Sequence, residues 1–192
     1  MNPHTKILNA ASALFLEGGV AALSVRAISK RAGLSTIGIY SHFQGKQGIL
    51  DALYIEGFNY VSEAMNVATD VRTTKEQVLK SCLGYLNVGE QHEAHYRLIF
   101  GEADAGYEPS VKAIAARDQA FAKLVRVVGS YLGNEFSFAE RRQLALDVWA
   151  IVHGYVSISH HAALTHNADS NWKLMALRVV VNQLDAVTEG SD

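Results

Sequence analysis

The amino-acid sequence predicts an all-α protein of about nine helices. Apolar residues recur three or four positions apart along most of the 192 residues, which is the period of an amphipathic helix. Several of these segments begin with a serine or threonine that is followed three residues later by a glutamate or glutamine, which is the pattern of a capping box. Others end at a glycine. No segment shows the alternation of apolar and polar residues that is typical of a strand.

The first predicted helix lies in the segment HTKILNAASALFLEGG. Gly18 and Gly19 mark its end, because glycine readily takes the backbone conformation that stops a helix. Its apolar residues share one face: Ile7, Leu8, Ala11, Leu14 and Phe15. This face is predicted to pack against the elements that follow.

Two short helices with a glycine turn between them are predicted from Leu23 to Lys46. Ser24 and Ser35 stand where N-caps belong, and Gly33 stands where the first of the two helices would end at positive φ. The residues predicted to face inward are Val25, Ile28, Ala32, Leu34, Ile39 and Phe43, and those left outside are Thr36, Ile37, Ser41 and His42. This arrangement is a helix-turn-helix unit, whose second helix enters the major groove of DNA.

Basic and polar residues surround the second helix, as a surface that binds phosphates requires. The candidates are Arg26, Lys30, Arg31, Tyr40, His42 and Lys46. Gly38 lies inside the same helix, where a glycine costs about 0.5 to 1 kcal/mol relative to alanine. Two interpretations stay open for it: the glycine lets the backbone approach DNA closely, or it is only a weak point in a short helix.

The middle of the chain is also predicted to be helical. A long helix is expected from near Lys46, with five inward apolar residues: Ile49, Leu50, Leu53, Phe58 and Val61. The next helix would be capped either by Thr74 with Gln77 or by Thr73 with Glu76. Its inward face would use Val78, Cys82, Tyr85 and Leu86. A short helix is then expected in HEAHYRLIFGEA.

Three long helices are predicted in the second half, over residues 109–132, 137–164 and 170–187. Pro109 suits the first turn of the first of these helices. Ser137 and Glu140 form a capping box for the second, and Ser170 would cap the third.

Trp149 and His153 lie one turn apart on the second of these long helices and share a face. Together they would give an apolar wall beside a group that both donates and accepts hydrogen bonds. Two interpretations stay open: Trp149 fills the core while His153 bonds a backbone carbonyl, or both residues line a ligand pocket.

The opposite face of that helix favours close packing of another helix. It carries Gly154, Ile158 and Ala162 every four positions, and the last helix offers an apolar face of its own: Leu174, Leu177, Val181 and Leu184. These faces would pack either within one chain or against a second copy.

Charge is divided unevenly along the chain. Residues 1–50 hold five lysine and arginine residues against Glu17 alone, a net charge of +4, whereas the whole chain carries −2. Only the N-terminal part is therefore attractive to phosphate. The single cysteine, Cys82, excludes an internal disulfide framework and a cysteine-based zinc finger. No signal peptide opens the chain and no apolar run approaches the roughly eighteen residues that span a bilayer, so we expect a cytoplasmic protein without a membrane segment.

Neither a metal site nor a catalytic site is predicted. The histidines include His92 with His95, and His153 with His160 and His161. Zinc sites need three or four converging ligands, and neither group forms a compact metal motif, so we expect surface or capping histidines and no cofactor. No nucleotide-binding glycine motif, nucleophile elbow or triad spacing occurs, and no catalytic residue is assigned.

The order of these features resembles the DNA-binding domain of the TetR family of bacterial transcriptional repressors. The resemblance covers roughly the first fifty residues and rests on Leu-Ser-Val-Arg, Ala-Gly-Leu-Ser and Ile-Tyr-x-His-Phe. Tyr40, His42, Phe43 and Lys46 fall at the spacing of the family. Ile37-Gly38 departs from the Gly-Thr or Gly-Ser of many members, and Ser29 stands where many carry alanine. Trp149, His153 and Gly154 resemble the WHG-type C-terminal domain of some members.

This resemblance implies a helix-turn-helix domain over residues 1–46 and an effector-binding and dimerisation domain over residues 47–192. It implies a dimer, joined by the last two helices, that binds an inverted-repeat operator in double-stranded DNA. Thr36 and Ile37 would touch base edges, and Ile37 suits a thymine methyl group. The full set of implied DNA contacts is Arg26, Ser35, Thr36, Ile37, Gly38, Tyr40, His42 and Lys46.

The resemblance also implies a small-molecule effector that releases the operator. The residues expected to line its cavity, each of which also suits a plain core, are Phe58, Cys82, Tyr85, Tyr96, Phe100, Phe121, Trp149 and His153. Their chemistry favours a moderately hydrophobic compound with one hydrogen-bonding group. The alternatives are an activator in place of a repressor, a helical enzyme or cofactor carrier, and a structural protein whose helix-turn-helix domain, the head, contacts another protein.

Overall fold

The computed structural model describes residues 2–67, 72–101, 107–160 and 171–189, and every regular element within these ranges is helical. In chain order they contain α1 (Pro3–Gly18), a 3₁₀ turn (Val20–Ala22), α2 (Val25–Ala32), α3 (Thr36–Phe43), α4 (Lys46–Ala64), α5 (Lys75–Gln91), α6 (Glu93–Ile99), α7 (Val111–Leu132), α8 (Phe138–Ser159) and α9 (Trp172–Glu189). The prediction of an all-α fold is confirmed. His161, Ala162, Leu164 and Ser170 lie outside the described residues.

The chain divides into two compact units, each made of two segments. The first unit comprises Met1–Tyr60 and His92–Asp118, and the second comprises Val61–Gln91 and Gln119–Asp192. Helices α4 and α7 contribute residues to both units. The domain boundary proposed after residue 46 coincides with the start of α4 and falls inside the first unit.

The first unit is built around α1, which packs against α2, α3 and α6. Six of its fully buried side chains come from the faces that the sequence predicts to be apolar: Ile7, Ala11, Phe15, Ile28, Ile39 and Ile49. Tyr107 ties α4 to the segment before α7, because its hydroxyl donates to Oδ1 of Asp51 at 2.8 Å. Burial raises the pKa of Tyr107, so that hydroxyl keeps its proton.

The second unit is built from α5, α8 and α9, which pack against one another. Gly89 on α5 allows a close approach, because a Cβ atom there would lie 2.3 Å from Cγ1 of Val156 on α8. Leu184, which the sequence places on the apolar face of the last helix, is fully buried within this chain. The four inward residues predicted for α5 are all buried, as expected: Val78, Cys82, Tyr85 and Leu86.

Both predicted capping boxes have geometric support. At the start of α5 the structure uses Thr74 and Gln77, because Thr74 N donates to Oε1 of Gln77 at 2.8 Å and Gln77 N donates to Oγ1 of Thr74 at 3.3 Å. At the start of α8, Ser137 N donates to Oε2 of Glu140 at 2.7 Å and Glu140 N donates to Oγ of Ser137 at 3.3 Å.

Three other predicted helix ends differ from the structure. Pro109 precedes α7 without belonging to it, because Ser110 caps that helix by accepting from Ala113 N at 3.3 Å. Helix α8 ends at Ser159, short of the predicted residue 164, with His160 as its C-cap. Asn171 stands before α9, and its Oδ1 accepts from Leu174 N at 3.4 Å, which is the capping role predicted for Ser170.

Candidate nucleic-acid interface

Side-chain caps and one glycine fix the turn between α2 and α3. Oγ of Ser24 accepts from Ala27 N at 3.0 Å, and Oγ of Ser35 accepts from Gly38 N at 3.1 Å. Between the two helices Gly33 takes φ 66°, in the left-handed region where glycine is favoured. The predicted helix-turn-helix is therefore present with the predicted caps.

The outer face of α3 is exposed as predicted. Ile37 is 79% exposed and Tyr40 57% exposed, while Ile39 between them is fully buried. Thr36, Ser41 and His42 are also exposed. A row of exposed side chains therefore stands on one side of the second helix, where DNA would be read.

The path from α3 into α4 depends on backbone that the sequence patterns do not predict. Gln44 takes φ 57°, which is uncommon for a residue other than glycine, and Gly45 follows with φ 105°. Gly48 stands so close to the end of α3 that a Cβ atom there would lie 1.6 Å from the carbonyl oxygen of Phe43. Any larger residue at position 48 would therefore displace α3 from α4.

Two of the basic candidates have partners within the chain. Nζ of Lys46 donates to the carbonyl oxygen of Val20 at 3.3 Å, which ties the start of α4 to the 3₁₀ turn. Nη2 of Arg31 lies 2.6 Å from Oε1 of Glu17, and this ion pair lowers the pKa of the Glu17 carboxyl. Arg26 and Lys30 are exposed on α2. The sequence did not predict the pair of Arg31 with Glu17, since these residues lie on different helices.

A second group of polar residues joins α4 to α6. Nε2 of His95 lies 2.9 Å from Oε2 of Glu56, and the ring of His92 stacks on Tyr60 with centroids 3.8 Å apart. The hydrogen bond from His95 lowers the pKa of Glu56, and burial lowers the pKa of His92. Among the described residues no three histidine, cysteine or carboxylate side chains converge as metal ligands.

The eight residues predicted to line an effector cavity fall into both units. In the first unit the ring of Phe100 lies 5.8 Å from that of Phe58 and 4.8 Å from that of Tyr96. The other five belong to the second unit: Cys82, Tyr85, Phe121, Trp149 and His153. Burial raises the pKa of the Cys82 thiol to about 12, so this cysteine is not reactive near neutral pH.

A chain of polar contacts links α5 to α8 in the second unit. Nε1 of Trp149 donates to the hydroxyl oxygen of Tyr85 at 3.0 Å, and that oxygen lies 3.4 Å from Nδ1 of His153. The ring of Phe121 lies 5.8 Å from the ring of Trp149. Burial lowers the pKa of His153, which favours the neutral imidazole. The structure thus brings together four of the predicted effector residues.

The second unit also contains a cavity of about 650 Å³ that the sequence did not predict. Its walls come from Arg72, α7, the segment after α7 and the first turns of α8, and include Arg126, Phe138 and Arg141. Nη2 of Arg72 pairs with Oε1 of Glu135 at 3.0 Å across it. None of the eight predicted effector residues lines this cavity.

None of the helices that the structure describes combines the length and the apolar character needed to cross a membrane.

Two protein-family models match this chain. A model described as bacterial regulatory proteins, tetR family, matches residues 7–53, and one described as tetracyclin repressor-like, C-terminal domain, matches residues 78–179. A curated relative, the probable HTH-type transcriptional regulator YttP of Bacillus subtilis (strain 168), is 31% identical over 102 residues, or 50% of this chain. The match spans 48% of that relative's own length.

Solved structures with the same fold align with nearly the whole chain. The TetR family transcriptional regulator PfmR from Thermus thermophilus aligns with a TM-score of 0.73 and 19% identity, over 93% of this chain and 97% of that one. The fatty acid degradation regulator FadR from Bacillus halodurans aligns with a TM-score of 0.71 and 18% identity, over 96% of this chain and 95% of that one. At these identities the likeness shows the fold alone.

Proposed function

Because the chain belongs to the TetR family of bacterial regulatory proteins and is a DNA-binding transcriptional regulator rather than an enzyme, we propose that it represses its target genes as a ligand-responsive homodimer. The observation that carries this proposal is the exposed outer face of α3, held by caps at Ser24 and Ser35. As a regulator of transcription it would act in the cytoplasm, where bacterial DNA lies.

Each head would place α3 in a major groove. The N-terminal residues Thr36 and Ile37 would meet base edges, and donors around them would bind phosphates. These donors are Arg26, Ser35, Tyr40, His42 and Lys46. Lys46 would have to exchange or share its bond to Val20 in order to reach a phosphate, so we expect it to contribute less than the exposed Tyr40.

The dimer interface proposed from the sequence draws support from α8 and α9. A Cβ atom at Gly154 would meet no atom within 4 Å, so another helix has room to approach there. Nearby on these two helices Ile158, Leu174 and Met175 are exposed apolar side chains. Two helices from each copy would form a four-helix interface, and the two heads would read half-sites about 34 to 36 Å apart in an inverted repeat.

The effector would bind beside the chain of polar contacts that Trp149, Tyr85 and His153 form. Binding would favour a dimer whose heads are wrongly spaced for the operator, and a coupling of about 1 to 3 kcal/mol gives roughly 5- to 150-fold release. Helix α4 is the proposed lever, because it starts beside α3 in the first unit and ends in the second.

Footprinting on DNA that flanks the protein's own gene tests the operator. We expect protection of two half-sites on one face of the duplex and two chains per site by mass measurement. Protection of a single half-site by one chain would contradict the dimer. Transcript levels of the adjacent genes in a deletion strain then distinguish repression, where the levels rise, from activation, where they fall.

A melting-temperature screen tests the effector. Uncharged or weakly polar aromatic compounds should raise the melting temperature of the wild-type protein and release the operator, and Trp149→Phe should reduce this response. Arg126→Gln is the matched control, because Arg126 lies on the cavity wall away from the predicted residues. If only highly charged metabolites raise the melting temperature, and Arg126→Gln alone abolishes that rise, the effector site would be assigned to that cavity instead.

A further inference from the structure

Ile37 and Gly38 form an unusual pair at the start of α3, the recognition helix that is proposed to enter the major groove. Ile37 is 79% exposed, although the isoleucine two positions later is fully buried. An isoleucine in contact with water gains no stability from its position, whereas burial against an apolar partner would stabilise it. A partner that buries Ile37 would have to come from outside this unit.

Nothing in the part of the chain that the structure describes requires a glycine at position 38. Its φ is not positive, and a Cβ atom there would lie 3.6 Å from Oγ of Ser35, which is an ordinary contact. Gly33 and Gly48 differ, because the first has positive φ and the second has no room for a Cβ. Glycine at position 38 therefore only weakens the helix in the free protein. Close approach of another molecule explains it, which favours one of the two interpretations left open by the sequence.

The same turn lacks the groups that read bases by paired hydrogen bonds. Arginine reads guanine, and asparagine or glutamine reads adenine, each through two bonds. The first turn of α3 offers instead a hydroxyl, a branched apolar chain and a bare backbone, at Thr36, Ile37 and Gly38. Apolar contact in the major groove has a specific target, the C5-methyl group of thymine.

We propose that this regulator recognises its operator by the C5-methyl groups of pyrimidines, with Ile37 in contact with a methyl group and Gly38 admitting the helix backbone close to the bases. The inference rests on the proposed docking of α3 in the major groove. Each half-site then contains a thymine opposite Ile37. A 5-methylcytosine at the same place supplies the same methyl group and retains part of the affinity, whereas cytosine does not.

The test begins with duplexes selected from a random pool by the full-length wild-type protein. Affinity for the best duplex is then compared, at one salt concentration, with copies in which single thymines are replaced by uracil, cytosine or 5-methylcytosine. Loss of one buried methyl group should weaken binding about fourfold, and loss in both half-sites about fifteenfold. Restoration by 5-methylcytosine of at least part of what cytosine loses supports the inference.

Two variants separate methyl recognition from changes in DNA shape. Ile37→Ala should bind the thymine and uracil duplexes equally. Gly38→Ala should melt no lower than the wild type, since the helix gains from alanine, yet bind the selected duplex at least about tenfold more weakly. Ser41→Ala, on the same helix, is the control and should leave the ratio of thymine to uracil affinity unchanged.

The methyl inference and the proposed function can be overturned separately. If a selected duplex binds tightly but its fully uracil-substituted copy binds as well, the methyl inference is overturned and the proposed regulator stands. Unchanged binding by Gly38→Ala would also overturn it. If no duplex is enriched even at low salt, the proposed function is overturned together with the inference.

Discussion

Tyr40 in the recognition helix and Tyr85 in α5 carry the same hydroxyl group in opposite environments. Tyr40 is 57% exposed, whereas Tyr85 is 4% exposed and accepts a hydrogen bond from Trp149. A substitution at Tyr85 is therefore expected to change the stability of the fold, whereas one at Tyr40 alters an exposed side chain. We therefore expect the proposed DNA-reading face to tolerate mutation with little cost in folding, and the proposed effector site to tolerate it poorly.

The largest contrast is expected between two isoleucines of α3. Ile39→Ala should lower the free energy of unfolding by about 2 to 5 kcal/mol, because it leaves a cavity under the helix. Ile37→Ala should change it by less than about 0.5 kcal/mol, because that side chain is exposed. Urea unfolding of both variants measures the difference. Equal losses of unfolding free energy would mean that the outer face of α3 is buried in solution.

The two tyrosines provide the next test. Tyr85→Phe should cost about 1 to 3 kcal/mol of unfolding free energy, because Nε1 of Trp149 loses its acceptor. Tyr40→Phe should leave stability unchanged and weaken binding to operator and scrambled DNA by the same factor, as the loss of a phosphate contact does. Selective weakening on the operator alone would show that Tyr40 reads bases.

Thr36→Ala tests whether a residue of the head can affect DNA sequence preference without affecting stability. We expect stability within about 0.5 kcal/mol of the wild type and an altered preference among operator sequences, because Thr36 is proposed to contact a base edge. Anisotropy titrations on a set of single-base operator variants measure the preference. Equal losses on operator and scrambled DNA would remove Thr36 from the base-reading residues.

The smallest effect is expected from the titration of His153. Because burial lowers its pKa in the folded protein, both states hold the neutral ring well above the ordinary pKa of about 6.5. As the pH falls below that value the unfolded chain takes the proton first, so the folded state loses stability until the lower folded pKa is reached. His153→Gln should lose less stability than the wild type between pH 7.5 and 5.5 in thermal unfolding. A greater loss would contradict the sign of this shift.

Local sequence signals predict most of the fold and the exposed outer face of α3. The caps at Ser24 and Ser35, the turn at Gly33 and both capping boxes depend on residues within a few positions of one another, and all were predictable. The contacts that were missed join distant parts of the chain, such as Arg31 with Glu17. The missed positive φ of Gln44 has a different cause, since glutamine carries no turn signal.

The residues of the proposed effector site are harder to predict for a physical reason. An aromatic residue on the inward face of a helix has the same spacing whether it fills a core or lines a cavity. Only the fold shows that Tyr85, Trp149 and His153 share polar contacts while Phe58 and Phe100 belong to the other unit. The cavity at Arg126 and Arg141 has no periodic signal at all.

Sequence-specific binding of DNA by a dimer is the central property proposed for this protein. Fluorescence anisotropy with DNA that flanks the protein's own gene, at two salt concentrations and beside scrambled DNA, measures it. We predict tight, salt-sensitive binding to one fragment with two chains per site. No binding even at low salt, or equally weak binding to every fragment in the absence of any added compound, would contradict the account.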